Sequence, residues 1–315
     1  MPEIPENTSL NSPPSELTAC RLCPRACQTN RAVGKRGVCG ADDTLQVARA
    51  ALHFWEEPPI SGENGSGTVF FANCPLHCCY CQNAEISEGR VGRAISIQRL
   101  ADIFLELQEQ GALNINLVTA SQYALQVIEA AAAARQSGMR LPIVWNSSGY
   151  EAITTIRALR GTVDAWLMDF RYASPELARR YSQAPDYPQV AEMAVAAAFE
   201  QSGSYRLNAA GHLTSGLVVR FLLLPGQLDD AVRCLNTVFE ICGDQACYSL
   251  MSQYTPPAKA VPNMPELSEP VSQRDYNWLI DHALDLGISN SFMQEGTCAE
   301  ASFIPPFDLT GVLQR

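Results

Sequence analysis

The chain has 315 residues, enough for one large buried core and an additional segment. Apolar residues make up 47% and charged residues 17%, and no run approaches the roughly 18–20 apolar residues of a membrane-spanning helix. The net charge of −11, from 22 basic and 33 acidic residues, argues against a broad nucleic-acid footprint, which needs clustered Lys and Arg to neutralise phosphates.

Residues 1–17 are polar and Pro-rich and have little to bury, so they are predicted to be a disordered tail. They lack the basic start and apolar stretch of a secretory signal, and a cytoplasmic location is expected. Twelve cysteines in a reducing compartment point to metal binding or buried thiols instead of disulfides. Residues 18–62 are predicted to be a cysteine-rich appendage. Within it, Cys20, Cys23, Cys27 and Cys39 could close a tetrahedral zinc site or hold a second [4Fe-4S] cluster. The segment has few large apolar residues, so bound metal would supply folding free energy that its own core cannot. Unmetallated thiols are the third reading. Arg21, Arg25, Arg31, Lys35 and Arg36 are concentrated in the same stretch, either as a solvated loop surface or as a docking face for an acidic electron donor.

From residue 63 to 295, apolar runs alternate with helical patterns. Strands are predicted at 68–73, 114–119, 142–147, 164–170, 217–224 and 246–253, each a short apolar run ended by polar or Gly/Pro residues, as in buried parallel strands. Helices are predicted at 96–109, 123–136, 150–160, 174–182, 188–201, 229–241 and 272–286. The first carries a Ser cap and an apolar stripe at Ile97, Leu100, Ile103, Phe104 and Leu107. Six β-α units imply a parallel sheet covered by helices, two units short of a closed eight-stranded barrel. Active residues in such folds sit at the C-terminal ends of strands. Residues 296–315 read as a tail without a recognisable role.

The first predicted strand runs into Cys74-Pro-Leu-His-Cys78-Cys79-Tyr80-Cys81. Three thiolates from one loop would leave one iron of a cubane cluster without a protein ligand, open to a substrate or cosubstrate. A structural zinc site normally closes with four ligands. His77, inside the loop, reads as a surface residue, and Cys79 as a bystander. The scattered Cys234, Cys242, Cys247 and Cys298 read as small buried apolar residues.

This loop resembles that of the radical S-adenosylmethionine (SAM) superfamily. The run from Cys20 to Gly40, the segment Phe54–Gly62 and Cys81-Gln82-Asn83 add a similarity to a branch of pyruvate formate-lyase activating-enzyme relatives whose reaction is unassigned. The resemblance implies an α/β fold, a partial open (β/α)6 TIM-like barrel. It implies a [4Fe-4S] cluster on Cys74, Cys78 and Cys81 that binds SAM, cleaves it reductively to a 5′-deoxyadenosyl radical, and so abstracts hydrogen from a protein or peptide. A glycyl-radical enzyme is one such substrate, and a small molecule is the alternative. A flavodoxin- or ferredoxin-like electron donor is the implied partner. Tyr80 would lie against the adenine, and Thr119 and Ser121 would stand at the turn that takes the SAM amino group, although the family's Gly-Gly-Glu-Pro-like sequence is absent. Asn146, Ser147, Met168 and Asp169 would hold a monovalent cation beside the SAM carboxylate, with Asn146 replacing a carboxylate. Arg171 and Arg220 would meet the carboxylate itself. The residues alone also allow an Asp169–Arg171 pair and a structural salt bridge for Arg220. Gln253 and Tyr254 stand where the activating enzymes place a SAM-facing His. A non-catalytic iron–sulfur redox module is the competing function.

Overall fold

The computed structural model describes residues 15–257, 259, 261–294 and 304–313. The predicted disordered tail up to residue 14, the tail residues 296–303 and 314–315, and Cys298 lie outside the described residues. Among the described residues, ten strands assemble into one open sheet: β1 (Gln46–His53), β2 (Ser66–Phe71), β3 (Arg93–Ala94), β4 (Ile115–Val118), β5 (Ile143–Ser147), β6 (Ala165–Asp169), β7 (Arg206–Leu207), β8 (Leu213–Leu222), β9 (Cys247–Met251) and β10 (Ser291–Met293). The order is β10-β9-β8-β6-β5-β4-β2-β1-β3, with β7 paired to β8. The seven strands from β2 to β10 along this path are mutually parallel, and β1 runs antiparallel to both of its neighbours.

All six predicted strands are present, as β2, β4, β5, β6, β8 and β9. Their continuous apolar runs let them be buried on both faces. The helices are α1 (Ser15–Thr18), α2 (Pro58–Ser61), α3 (Ala84–Ser87), α4 (Ile97–Glu109), α5 (Ala124–Gln136), α6 (Ile153–Ala158), α7 (Pro175–Ser182), α8 (Tyr187–Ser202), α9 (Leu228–Cys242) and α10 (Gln273–Asp285). The Oγ of Ser96, Ser174 and Ser272 accept the backbone N–H three residues on, and so cap α4, α7 and α10.

The two faces of the sheet differ. On one, the long helices pack over Phe71, Leu117, Trp145, Trp166, Met168 and Phe221 in the main core. On the other, a smaller cluster joins Ile60 of α2 to Val144, Leu167, Leu213, Val218 and Cys247. Ile60 is pinned there by its carbonyl, which accepts from Asn114 Nδ2 at 2.7 Å.

This arrangement corrects two expected boundaries. Residues 46–61 are not appended: they form a sheet strand and the plug of its second face. Only the residues before Gln46 stand outside the sheet. They pack on it through Arg25, which donates to the carbonyls of Pro75, Leu76, Ser182 and Gln183, and through the Leu22 carbonyl, which accepts from Thr155. The described C-terminal residues are no loose tail either, since Val312 is fully buried in the main core.

Candidate functional site

Strand β2 ends at Phe71, and the cysteine loop follows it directly. Asn73 begins the loop in the left-handed conformation (φ 73°) and donates to Tyr123 Oη at 2.9 Å. The Gln122 side-chain amide donates to the carbonyls of Ala72, Asn73 and Thr119, joining the loop to the exit of β4. Cys74, Cys78 and Cys81 line one cavity of ≈ 110 Å³. Burial first, then the neighbouring Cys78 and Cys81, push the Cys74 thiol up to about 12, and burial and Cys78 likewise raise Cys81. A thiol raised by burial ionises more readily beside a positive charge.

A second cavity of ≈ 200 Å³ shares Cys81, Asn83, Asn146, Asp169, Arg171 and Arg220 with the first, so the two form one cleft at the C-terminal ends of the parallel strands. Its floor is a charge network. Asp169 and Arg220 are register partners on β6 and β8, and Arg220 Nε donates to Asp169 Oδ1 at 2.7 Å. The other two nitrogens of Arg220 reach Glu56 Oε2 (3.1 Å) and Asn146 Oδ1 (2.8 Å). Arg171 holds the remaining Asp169 oxygen at 2.5 Å. Burial works to raise Asp169, but Arg220 and Arg171 outweigh it and leave its carboxyl below the ordinary value. Buried charges require this kind of pairing. The Arg171 Nε, buried with no partner, is a spare donor at the cavity.

The expected site residues divide by side-chain parity. Successive residues of a strand point to opposite faces. Asn146 and Asp169 therefore face the cleft, whereas Met168 is buried in the helix-side core, and Ser147 Oγ turns to Glu151 at 2.6 Å. Asn146, Ser147 and Asp169 nevertheless all line the ≈ 110 Å³ cavity, and Met168 does not. Both Asp169 oxygens and the Asn146 Oδ1 are engaged by arginines. The Ser121 Oγ donates to Glu151 Oε1 at 2.5 Å. Thr119 lines the cavity with a left-handed backbone (φ 58°), a strained state for a β-branched residue. Tyr80 is buried and hydrogen-bonds Tyr172 at 2.7 Å, and Gln253 borders the cleft while its Oε1 accepts from Gln294.

Three residues important to this geometry escaped the sequence reading. Glu56 accepts from Arg220, Asn146 and Asn116, and looks in sequence like a surface acid before a Pro-Pro turn. Glu151 accepts from Ser121, Ser147 and the Trp145 indole; burial outweighs these bonds and raises its carboxyl, and its second oxygen has no partner. Gln122 is the third.

Cys20, Cys23 and Cys39 are buried, and Cys27 is partly so. Cys27 and Cys39 both border Gly37, with their sulfurs 3.2 and 3.8 Å from where a Cβ would stand. Burial and then Cys39 push Cys23 up to about 12. Arg31 is fully buried, bonded to the Asp42 carbonyl and 3.7 Å from Cys20 Sγ. With Arg25 and Arg31 both spent on the fold, the expected docking face shrinks to Arg21, Lys35 and Arg36. The Cys39–Gly40 end abuts the other loop: a Cβ on Gly40 would stand 2.8 Å from Asn73 Oδ1, and the His77 ring meets the Val38 carbonyl at 3.0 Å. Among the described residues, no group of three or more His, Cys, Asp or Glu side chains is gathered closely enough to grip a metal ion, in either cysteine segment. Also among them, no helix is long and apolar enough to cross a membrane.

No family model matches the chain. The uncharacterized protein MJ0674 of Methanocaldococcus jannaschii is 25% identical to it over 256 residues, which cover 76% of this chain and 67% of the archaeal protein. The two are thus similar through most of their lengths.

Proposed function

We propose that this protein is a radical SAM enzyme built on a partial open (β/α)6 barrel. The observation that carries the reading is the joint lining of one cavity by Cys74, Cys78 and Cys81 at the exit of the first of seven sequence-ordered parallel strands. Helices on one face, with a plugged and partly polar opposite face, fit a barrel-type sheet better than a doubly wound one. The three thiols suit an iron–sulfur cluster by donor type and number. Cys74, Cys78 and Cys81 would hold that cluster, which would supply the one electron that reductive cleavage of SAM to methionine and a 5′-deoxyadenosyl radical requires.

The chain's own residues orient and exclude. Arg171 Nε offers a donor for a carboxylate. Asn146 and the Asp169–Arg220 pair form a preorganised polar floor, and Tyr80 gives the cleft an aromatic side. The favoured substrate is a protein or peptide, the electron donor is flavodoxin- or ferredoxin-like, and the Cys20–Cys39 set takes zinc or a second cluster. Anaerobic reconstitution, reduction and SAM addition should yield 5′-deoxyadenosine. A filled cluster that yields none refutes the reading.

A redox module without SAM chemistry is the second reading. It is favoured by the full engagement of Arg220 and by the turn of Ser121 and Ser147 towards Glu151. An electron paramagnetic resonance signal of the reduced cluster that ignores added SAM would select it.

A further inference from the structure

One wall of the cleft comes from residues that the sequence left without a role. Residues 304–313 form a strap along β1. The Leu309 N–H donates to the Ala48 carbonyl (3.1 Å) and the Ala50 N–H to the Thr310 carbonyl (2.9 Å). Arg49 holds the Pro306 carbonyl and the Asp308 carboxylate at 3.0 and 2.8 Å. Arg99 of α4 donates to the carbonyls of Gly311, Val312 and Leu313 while paired with Glu106. Gly311 has φ +72°, and a Cβ there would stand 1.9 Å from the Ala50 carbonyl oxygen, so only glycine fits. The strap is thus a fixed part of the fold.

Its start borders the cleft: Ile304 and Pro305 line the ≈ 200 Å³ cavity beside His53, Trp55 and Phe70. Phe307 packs edge-on against Phe70 at 5.5 Å, and Phe70 against His53 at 5.8 Å. Burial, with Arg49 nearby, lowers His53 to about 4, so this wall is uncharged at neutral pH. The charges of the floor, Arg171 and Arg220 against Asp169 and Glu56, balance one another. The apolar surface continues outward to Trp55 and Phe54, which are 59% and 50% exposed, so a fitting occupant extends beyond the cavity.

We propose that the C-terminal strap is a specificity element, and that Ile304, Pro305, Phe70 and Trp55 seat an uncharged apolar side chain of an extended peptide beside the cysteine loop. The proposal rests on reading the cleft as the place where substrate meets SAM, and its test needs neither cluster nor SAM.

Titration of the full chain by calorimetry with the blocked peptides acetyl-Gly-Phe-Gly-amide and acetyl-Gly-Asp-Gly-amide, and with N-acetylphenylalanine amide, checks it. The phenylalanine tripeptide should bind about tenfold tighter than either of the others, the worth of roughly two buried methylenes. Ile304→Asp and, separately, Pro305→Asp should erase that preference. Leu313→Asp, on an exposed part of the same strap, should keep it. Equal binding of the two tripeptides, no binding, or unchanged preference in the Ile304→Asp and Pro305→Asp chains overturns the proposal. Binding of the single blocked amino acid as tightly as the tripeptide overturns the extended occupant in favour of a small molecule. A protein that shows the preference but makes no 5′-deoxyadenosine keeps the strap and loses the radical reading; the reverse result loses only the strap.

Discussion

The two cysteine segments have similar compositions and opposite structural settings. The loop carrying Cys74, Cys78 and Cys81 leaves a buried parallel strand, and its thiols border a cleft. The segment carrying Cys20, Cys23, Cys27 and Cys39 has no strand beneath it and is held by arginines that donate to backbone carbonyls. A loop whose backbone is fixed by a sheet can leave a metal position open for chemistry. A segment with only a small apolar cluster around Leu17, Cys20 and Leu22 would gain cohesion from bound ligands. On the proposed reading, the same residue type would serve reactivity in one place and folding in the other.

The sharpest way to break this contrast is Cys78→Ser. It should abolish SAM cleavage, measured as 5′-deoxyadenosine formation, while the thermal midpoint of the metal-free chain barely moves. A retained activity would remove Cys78 from the site. The paired change Cys20→Ser/Cys23→Ser should do the reverse: zinc or iron bound by the N-terminal segment is lost and the holoprotein unfolds at lower denaturant, by several kcal/mol, the scale on which structural metals couple to folding. Unchanged metal content would sink the four-cysteine site. Arg25→Ala removes donors from two carbonyls of the other cysteine loop and two at the end of α7. It should cost about 2–3 kcal/mol in urea unfolding, because bonds to a charged donor are worth more than neutral ones. A cost near zero would mean that the segment is held by something else.

The smallest expected effect is at Glu151→Gln. Burial holds the Glu151 carboxyl above its ordinary value, so its stabilising contribution is complete below the unfolded-state value and is lost as pH rises through the higher folded-state value. Glutamine cannot titrate. The variant should therefore gain on the wild type as pH rises above the ordinary carboxylate value. Parallel pH profiles of unfolding free energy for the two chains would refute a raised Glu151.

The sheet was readable because its strands are unbroken apolar runs and three of its helices, α4, α7 and α10, begin at serine caps. The strand β1 was not. Its sequence, Gln46-Val-Ala-Arg-Ala-Ala-Leu-His53, mixes polar and small residues, and its pairing is antiparallel beside an otherwise parallel set. β10, three residues long, offers no pattern to detect. At the site, the cysteine spacing was plain because its members are local. Glu56 was not, because the arginine that neutralises it lies 164 residues away and nothing near it in the chain announces a buried partner. Asn146 and Ser147, like Met168 and Asp169, are neighbours in sequence, but alternation points neighbouring strand side chains to opposite faces. The role of the strap stayed hidden because residues 304–313 gain their meaning only against β1 and Arg99.

The opposite orientation of Ser147 and Asn146, and of Met168 and Asp169, also bears on how such a chain can diversify. Loops after the strands can lengthen or shorten without disturbing the layers. An insertion or deletion of a single residue inside β5 or β6 would instead turn Trp145 or Trp166 into the cleft and send Asn146 or Asp169 into the helix-side core. Inherited variation in this architecture should therefore accumulate as loop length and point substitution, with the strand lengths under the cleft held constant.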